Sequence, residues 1–314
     1  MISLRQHAIS LVAVFLALAL GLFLGSGFVG DRVNSLTGTS RDRVGDLEQQ
    51  RDELNAQVNA ASGFDAAIAP RIMADRLKGH SVLVVTLPNA ADSDVDSAKE
   101  ALSTAGATFG GQLGLTDKLV RDDNAEQVRT IVDQTIPPGA TLRAELTDSG
   151  SRVGDLLGTL LLHRSNQPAA AASDSQTGLQ TLRDGGFLTY ADNAIRPADL
   201  VLFVSGDALS ENAGAQGQLT ARLTAAMAAR AQGGALVGRS GSATGGSPIA
   251  VVRSDPALRN AVSTVDNVDQ QTGLITTILA LGEETQGRSG SYGTGAGATA
   301  ITVGAQPAPA RTPS

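Results

Sequence analysis

The chain has 314 residues, enough for one large or two small domains, and carries 31 Asp+Glu against 24 Lys+Arg for a net charge of −7. No dense basic run occurs, which argues against a nucleic-acid partner, because such a surface must displace phosphate counterions. Cysteine is absent, which excludes disulfides, thiolate metal sites and a cysteine nucleophile; with no Trp and two Tyr, the core must be built from Ala, Val, Leu and Ile.

Between Arg5 and Asp31 there is no Asp, Glu, Lys or Arg, and Ala8 to Gly30 is long enough to cross a hydrocarbon core of roughly 30 Å at about 1.5 Å per residue. The α-amino group and Arg5 precede this run, while Asp31 and Arg32 cancel after it. The positive-inside rule then leaves the N-terminus in the cytoplasm and exports the rest, giving a single-pass protein of the cell envelope. A cleaved signal peptide is the rival reading, with Gly25-Ser26-Gly27 as the small-residue region. The run is longer than a signal h-region and lacks an A-x-A pattern at its end, so a retained anchor in the lipid bilayer is the expectation. Ala13, Ala17, Gly21 and Gly25 recur every four residues and form one ridge of a helix, where a second backbone can approach closely.

From Asp31 to about Met73 the chain is polar and helix-compatible. Val33 with Leu36, Val44 with Leu47, then Leu54, Val58 and Ala61 keep 3/4 spacing, while charged residues from Arg41 to Glu53 occupy the other faces. The spacing reads as a helical, coiled-coil-like stalk, interrupted by Ser40 and Arg51; a single amphipathic helix lying on its own domain is the other reading. Val44, Leu47, Leu54 and Val58, together with the small-residue ridge, are the expected helix-association residues, either in a homo-oligomer or in a complex with another membrane protein.

The remainder alternates between strand-like and helix-like runs. Ser81 to Leu87 reads as a buried strand, Val95 to Ala105 as a helix ended by Gly106, and Thr108 to Leu115 as a second strand. Val128 to Val132 suggests a helix stopped near Pro137-Pro138, and Val153 to Leu160 a further apolar helix. An Ala/Ser/Pro-rich linker is expected from Ser165 to Ser175. Strand-like Phe187 to Tyr190 and Leu200 to Val204 follow, then a helix around Leu219 to Arg230, strand-like Ala235 to Gly238, and a helix from Gly273 to Glu284. Ile249 to Val252 is too short to assign. Such alternation implies an α/β fold with a mostly parallel sheet. The expected layout is a cytoplasmic tip and transmembrane anchor (1–30), a helical stalk (31–77), an exported α/β domain (78–304) and a disordered Pro-rich tail (305–314).

Chemical motifs are sparse. Pro88-Asn89-Ala90 after the first strand has no glycine fingerprint for a dinucleotide, and Gly293-Thr294-Gly295-Ala296-Gly297 reads as a mobile loop. Asp92, Asp94 and Asp96 alternate like a calcium loop, but Ser97 and Ser103 stand where Gly and the bidentate Glu belong, so these acids read as helix-start residues. His7, His80 and His163 are far apart in sequence, and Met73 and Met227 are the only methionines after Met1, so neither copper(I) nor copper(II) finds an evident ligand set. No G-x-S-x-G elbow is present. No catalytic residue and no cofactor is expected.

The opening Met1-Ile2-Ser3-Leu4-Arg5-Gln6-His7, followed by Val14-Phe15-Leu16-Ala17-Leu18-Ala19 and Gly25-Ser26-Gly27-Phe28, resembles the start of the mycobacterial copper transport protein B (MctB) family. Further matches are Gly154-Asp155-Leu156-Leu157-Gly158, Ser263-Thr264-Val265-Asp266 and Tyr292-Gly293-Thr294-Gly295. The resemblance covers almost the whole chain and implies a role in copper efflux or tolerance in actinobacteria, with copper as transported ion. It also implies an outer-membrane pore label, and an alternative division role for SteB-like members, which control septal peptidoglycan hydrolysis through a membrane partner. The pore label conflicts with the residues: a transmembrane barrel needs repeated segments of about ten alternating residues with aromatic girdles, and this chain interleaves helices with its strands. No ligand residues are carried over from the family.

Overall fold

The computed structural model describes residues 14–18, 28–164 and 170–305, with side chains of the first long helix described from residue 44 onward. Contacts divide the chain into two compact units, Met1–Phe64 and Asp65–Ser314. In the first unit, residues 14–18 are helical, and helix α1 (Phe28–Met73) starts there and ends in the second unit. Asp75, at φ 58°, turns the chain out of its last turn. Apart from residues 14–18 and 28–30, the anchor expected over Ala8–Gly30 lies outside the described residues, and among the described residues no helix is long and apolar enough to cross a membrane. The tail from residue 306 also lies outside them.

The second unit is built on a seven-stranded sheet. Its strands are β1 (Ser81–Thr86), β2 (Thr108–Leu115), β3 (Leu188–Thr189), β4 (Leu200–Val204), β5 (Gly233–Val237), β6 (Ser263–Val265) and β7 (Ser291–Tyr292). They lie in the order β3-β2-β1-β4-β5-β6-β7. β3 runs antiparallel to β2, and the other pairings are parallel. The order reverses between β1 and β4, which makes this an open, doubly wound sheet with a switch point at the carboxyl ends of those two strands.

The central strands are buried on both faces, so they read as continuous apolar runs, and their alternate side chains feed two cores. Leu83, Val85, Val201, Phe203 and Leu236 point into one core. That core is covered by α4 (Ala125–Thr135), α5 (Ser149–Leu161), α6 (Ala172–Asp184), α7 (Gln216–Ala228) and α8 (Pro248–Ser254). Val82, Val84, Leu200, Leu202 and Val237 point into the other, under the end of α1, α2 (Asp92–Thr104) and α10 (Gln271–Glu284). Two short helices, α3 (Asp117–Val120) and α9 (Pro256–Arg259), complete the numbering.

Local chemistry explains most element boundaries. Asp148 accepts a hydrogen bond from the Ser151 amide at 2.9 Å and so starts α5, a run rich in Leu. Pro248 and Pro256 open α8 and α9, where a missing amide hydrogen costs nothing. The α/β architecture and its mostly parallel sheet are as the alternation of apolar runs implies.

Several local readings change. The Ala/Ser/Pro-rich stretch from Ser165 does not continue as a linker to Ser175, because α6 begins at Ala172; residues 165–169 lie outside the described set. Ile249–Val252, too short to assign alone, is the middle of α8. Asp92 and Asp94 do occupy the first turn of α2, but the position before it is Ala91 and no side chain caps the helix by a hydrogen bond.

Candidate functional site

In an open doubly wound sheet, ligands bind outside the carboxyl ends of the strands at the switch point. Here that edge is occupied by the chain's own groups. The Asn89 carbonyl, after β1, packs so tightly on Gly206, after β4, that a Cβ on Gly206 would lie 1.9 Å from its oxygen. The Asn89 side chain donates to the Asp207 carbonyl at 3.0 Å and closes the loops together. After β5, the amide and hydroxyl of Ser240 both donate to Asp269 Oδ1, at 2.8 and 3.1 Å.

Asp94, on α2, is 5% exposed and lies 3.0 Å from Arg239 Nε. Neither atom has an aligned hydrogen-bond partner, so the contact is ionic attraction at a poor angle. Burial pushes the Asp94 carboxyl above its ordinary value; Arg239 opposes this, while Asp269 and Asp207 add to it.

The glycine-rich loop after β7 is held rather than free. Asp266, at the end of β6, accepts from the Thr294 amide at 2.9 Å and from the Gly295 amide at 3.0 Å. Gly293 has φ 123°, and a Cβ there would stand 2.2 Å from Asp266 Oδ1. Arg253 of α8 completes the arrangement: Nη1 reaches Asp266 at 2.5 Å and the Ala296 carbonyl at 2.9 Å, and Nη2 reaches the Tyr292 carbonyl at 2.6 Å. A loop of amides suited to an external anion is thus filled by an internal carboxylate. The sequence carries little signal for this: the strand ahead of Asp266 is only Ser263-Thr264-Val265, and the partner Arg253 lies on another element.

At the amino edge, Asp199 precedes β4 and clamps the start of β1. Its Oδ1 accepts from the Ser81 amide at 2.5 Å and hydroxyl at 2.8 Å, and its Oδ2 stands 2.5 Å from His80 Nδ1. Burial alone would raise the Asp199 carboxyl; the bonds from His80 and Ser81 outweigh it and hold the group below its ordinary value. With Nδ1 engaged, Nε2 is the ring nitrogen left for a ligand, the way a carboxylate orients a metal-binding imidazole. His163 attaches next door, its amide donating to the Ala198 carbonyl at 3.0 Å. Met73 and Met227 are both buried in the cores, one under each face of the sheet. Among the described residues, no group of three or more His, Cys, Asp or Glu is placed to hold a metal ion.

Of the residues expected to associate helices, Ala13, Gly21 and Gly25 lie outside the described set and Ala17 is helical and exposed. Val44, Leu47, Leu54 and Val58 are all on α1 and between 54% and 63% exposed. Within the described residues, the body motifs that carry the family resemblance, Gly154–Gly158, Ser263–Asp266 and Tyr292–Gly295, are packing devices instead. Asp155 is fully buried between Arg143 and Arg230, each with its Nε at 2.7 Å, and a Cβ on Gly154 would strike the Leu223 carbonyl oxygen at 2.3 Å. Close contact of α5 with α7 needs that glycine.

These residues define an α/β protein with a doubly wound body, a long helix ahead of it, and a ligand edge filled by its own carboxylates and carbonyls. A family model described as "Copper transport outer membrane protein, MctB" matches residues 1–303. The copper transporters MctB of Mycobacterium tuberculosis and Mycobacterium bovis are each 42% identical over 312 residues, covering 96% of this chain and 99% of theirs. The copper transporter MctB of Mycobacterium leprae is 44% identical over 318 residues with the same coverage. The chain belongs to the MctB family.

Proposed function

We propose that this chain is a membrane-anchored protein of the cell envelope that acts in copper transport and homeostasis without catalytic chemistry of its own. The observation that carries the reading is end-to-end similarity to relatives named as copper transporters, over 99% of their length. The transmembrane segment is Ala8–Gly30, with the N-terminus cytoplasmic and the α/β body exported, as its flanking charges favour. Copper is the transported ion rather than a resident cofactor: the described thioethers are buried, and His80 offers one oriented imidazole, short of the several ligands a held copper ion needs. The protein therefore works as part of an assembly, through association of the anchor ridge Ala13, Ala17, Gly21 and Gly25 and of the α1 seam Val44, Leu47, Leu54 and Val58.

A second reading, a SteB-like interaction protein acting in cell division, is favoured by that exposed seam together with the filled ligand edge. One deletion strain separates the two. Copper transport requires raised cellular copper and growth failure at copper levels the parent tolerates. Normal copper content with chained or branched cells sinks the copper reading and supports the division reading.

A further inference from the structure

We infer that the α1 segment from Val44 to Phe64 closes on a second copy of this chain as a parallel, in-register, two-stranded coiled coil. The inference rests on the helix-association reading above and commits it to one partner and one geometry. Every side chain from residue 44 to 64 is exposed. A helix of that length gains little from propensity alone in water, so it needs an apolar face covered.

The positions of the seam choose the cover. Val44, Leu47, Arg51, Leu54, Val58 and Ala61 follow one another at alternating steps of three and four, the seam spacing of a heptad. This puts β-branched Val44 and Val58 at a and Leu47 and Leu54 at d, the combination that favours two parallel strands over three or four. Arg51 takes the a position between them. Two such side chains can bend outward from a two-stranded seam, whereas three would meet at the axis of a trimer. Its charge is already balanced by Asp52 on the same helix, at 2.9 Å. A single polar residue at a also fixes register, because a slip of one heptad sets Arg51 against Val44 or Val58 of the other helix.

The flanks suit a copy of themselves. The e and g positions hold Glu48, Gln50, Asn55, Gln57, Ser62 and Phe64, with one charge among the six. In a parallel pair Gln50 faces Asn55 of the other helix and Gln57 faces Ser62, so amides and hydroxyls meet and no like charges do. Charged Asp46, Asp52 and Glu53 fall on the outer positions b and c.

Absence of cysteine makes the test clean. The full chain carrying Leu47→Cys or Leu54→Cys is oxidised mildly in native membranes, with Gln49→Cys and Ala56→Cys on the outer face as controls. The expected result is a shift to twice the chain mass for both seam variants and not for the controls. A mixed adduct of Leu47→Cys with Val58→Cys chains exceeding either self-adduct overturns the parallel geometry. Adducts of another mass overturn the second copy while leaving helix association standing. Seam variants that never exceed the controls remove both.

Discussion

Arg253 Nη1 and Asp266 Oδ2 stand 2.5 Å apart with 2% and 1% of their side chains exposed, and two backbone amides of the loop after β7 share the same carboxylate. Burial lowers the Arg253 guanidinium below its ordinary value, with Asp266 opposing that shift.

Arg253→Met leaves a buried carboxylate without its cation, and the expected loss is about 3–5 kcal/mol of stability. Replacing both members of a buried pair often restores stability. Here the double variant Arg253→Met with Asp266→Leu is expected to stay well below the parent, because the Thr294 and Gly295 amides lose their acceptor, at about 1–3 kcal/mol each. Denaturant melts of the three variants decide it. Parental stability in the double variant means the carboxylate does not hold the loop.

Two glycines in helices should respond oppositely to alanine. Gly154→Ala forces α5 from α7, since the new Cβ meets the Leu223 backbone at 2.3 Å, and should cost about 1–3 kcal/mol or more. Gly282, inside α10, has only the Arg76 carbonyl oxygen near its Cβ position, at 3.9 Å. Gly282→Ala should stabilise by about 0.4–1 kcal/mol, by restricting the unfolded chain. Thermal melting shifts of the same sign in both would refute the packing account.

The acid limb of stability has a definite sign. Burial acts to raise the Asp155 carboxyl, but hydrogen bonds from Arg230 and Arg143 outweigh it and hold the group below its ordinary 3.8. A depressed carboxyl contributes stability that is fully present above the unfolded value and lost as pH falls through the folded one. Asp199 behaves the same way. Asp94 and Glu284 are shifted up, chiefly by burial, and so oppose folding when ionised; that penalty is relieved as pH falls through their folded values. Stability should therefore hold or rise slightly on acidification from neutrality and fall below about pH 4. Asp155→Asn should be less stable than the parent at pH 7, with the gap narrowing below pH 4. A gap that widens there contradicts the assignment.

Copper binding by the full chain in detergent should be weak. Titration calorimetry with copper(I) and copper(II) against a competing chelator should show no stoichiometric tight site, because cysteine is absent and Met73 and Met227 are buried. Tight uptake lost in His80→Ala would instead place a ligand at the Asp199-oriented imidazole.

Topology is tested by a reporter fused after Ser314, which should behave as exported while the mature protein keeps Met1 to Gly30. Recovery of a shortened soluble form beginning near Gly27 would support the signal-peptide reading.

Long central elements were legible because their burial is written in composition: Leu200–Val204 is apolar throughout, and Thr108–Leu115 is bounded by its own turn signals. β6 and β7 were not, being three and two residues long and stabilised by neighbours rather than by any pattern of their own. The site was less legible still. Gly293–Gly297 reads as a mobile loop because its partner, Asp266, is remote in sequence; Asp94 is the helix-start acid its position implies, but its ionic contact is hidden because Arg239 comes from another strand's loop.

The amino-acid sequence by itself determined the alternation of strands and helices, the charge-free N-terminal run, the apolar seam of α1 and the poverty of metal ligands. These depend on residue type and spacing within a few turns or pleats. The tertiary structure alone decided that β1 lies between β2 and β4, that Asp155, Asp199 and Asp266 each find partners across the fold, and that the carboxyl edge is filled from within. Strand order and buried ion pairs are set by which surfaces pack best over long sequence separations, and such a choice leaves no periodic trace along the chain.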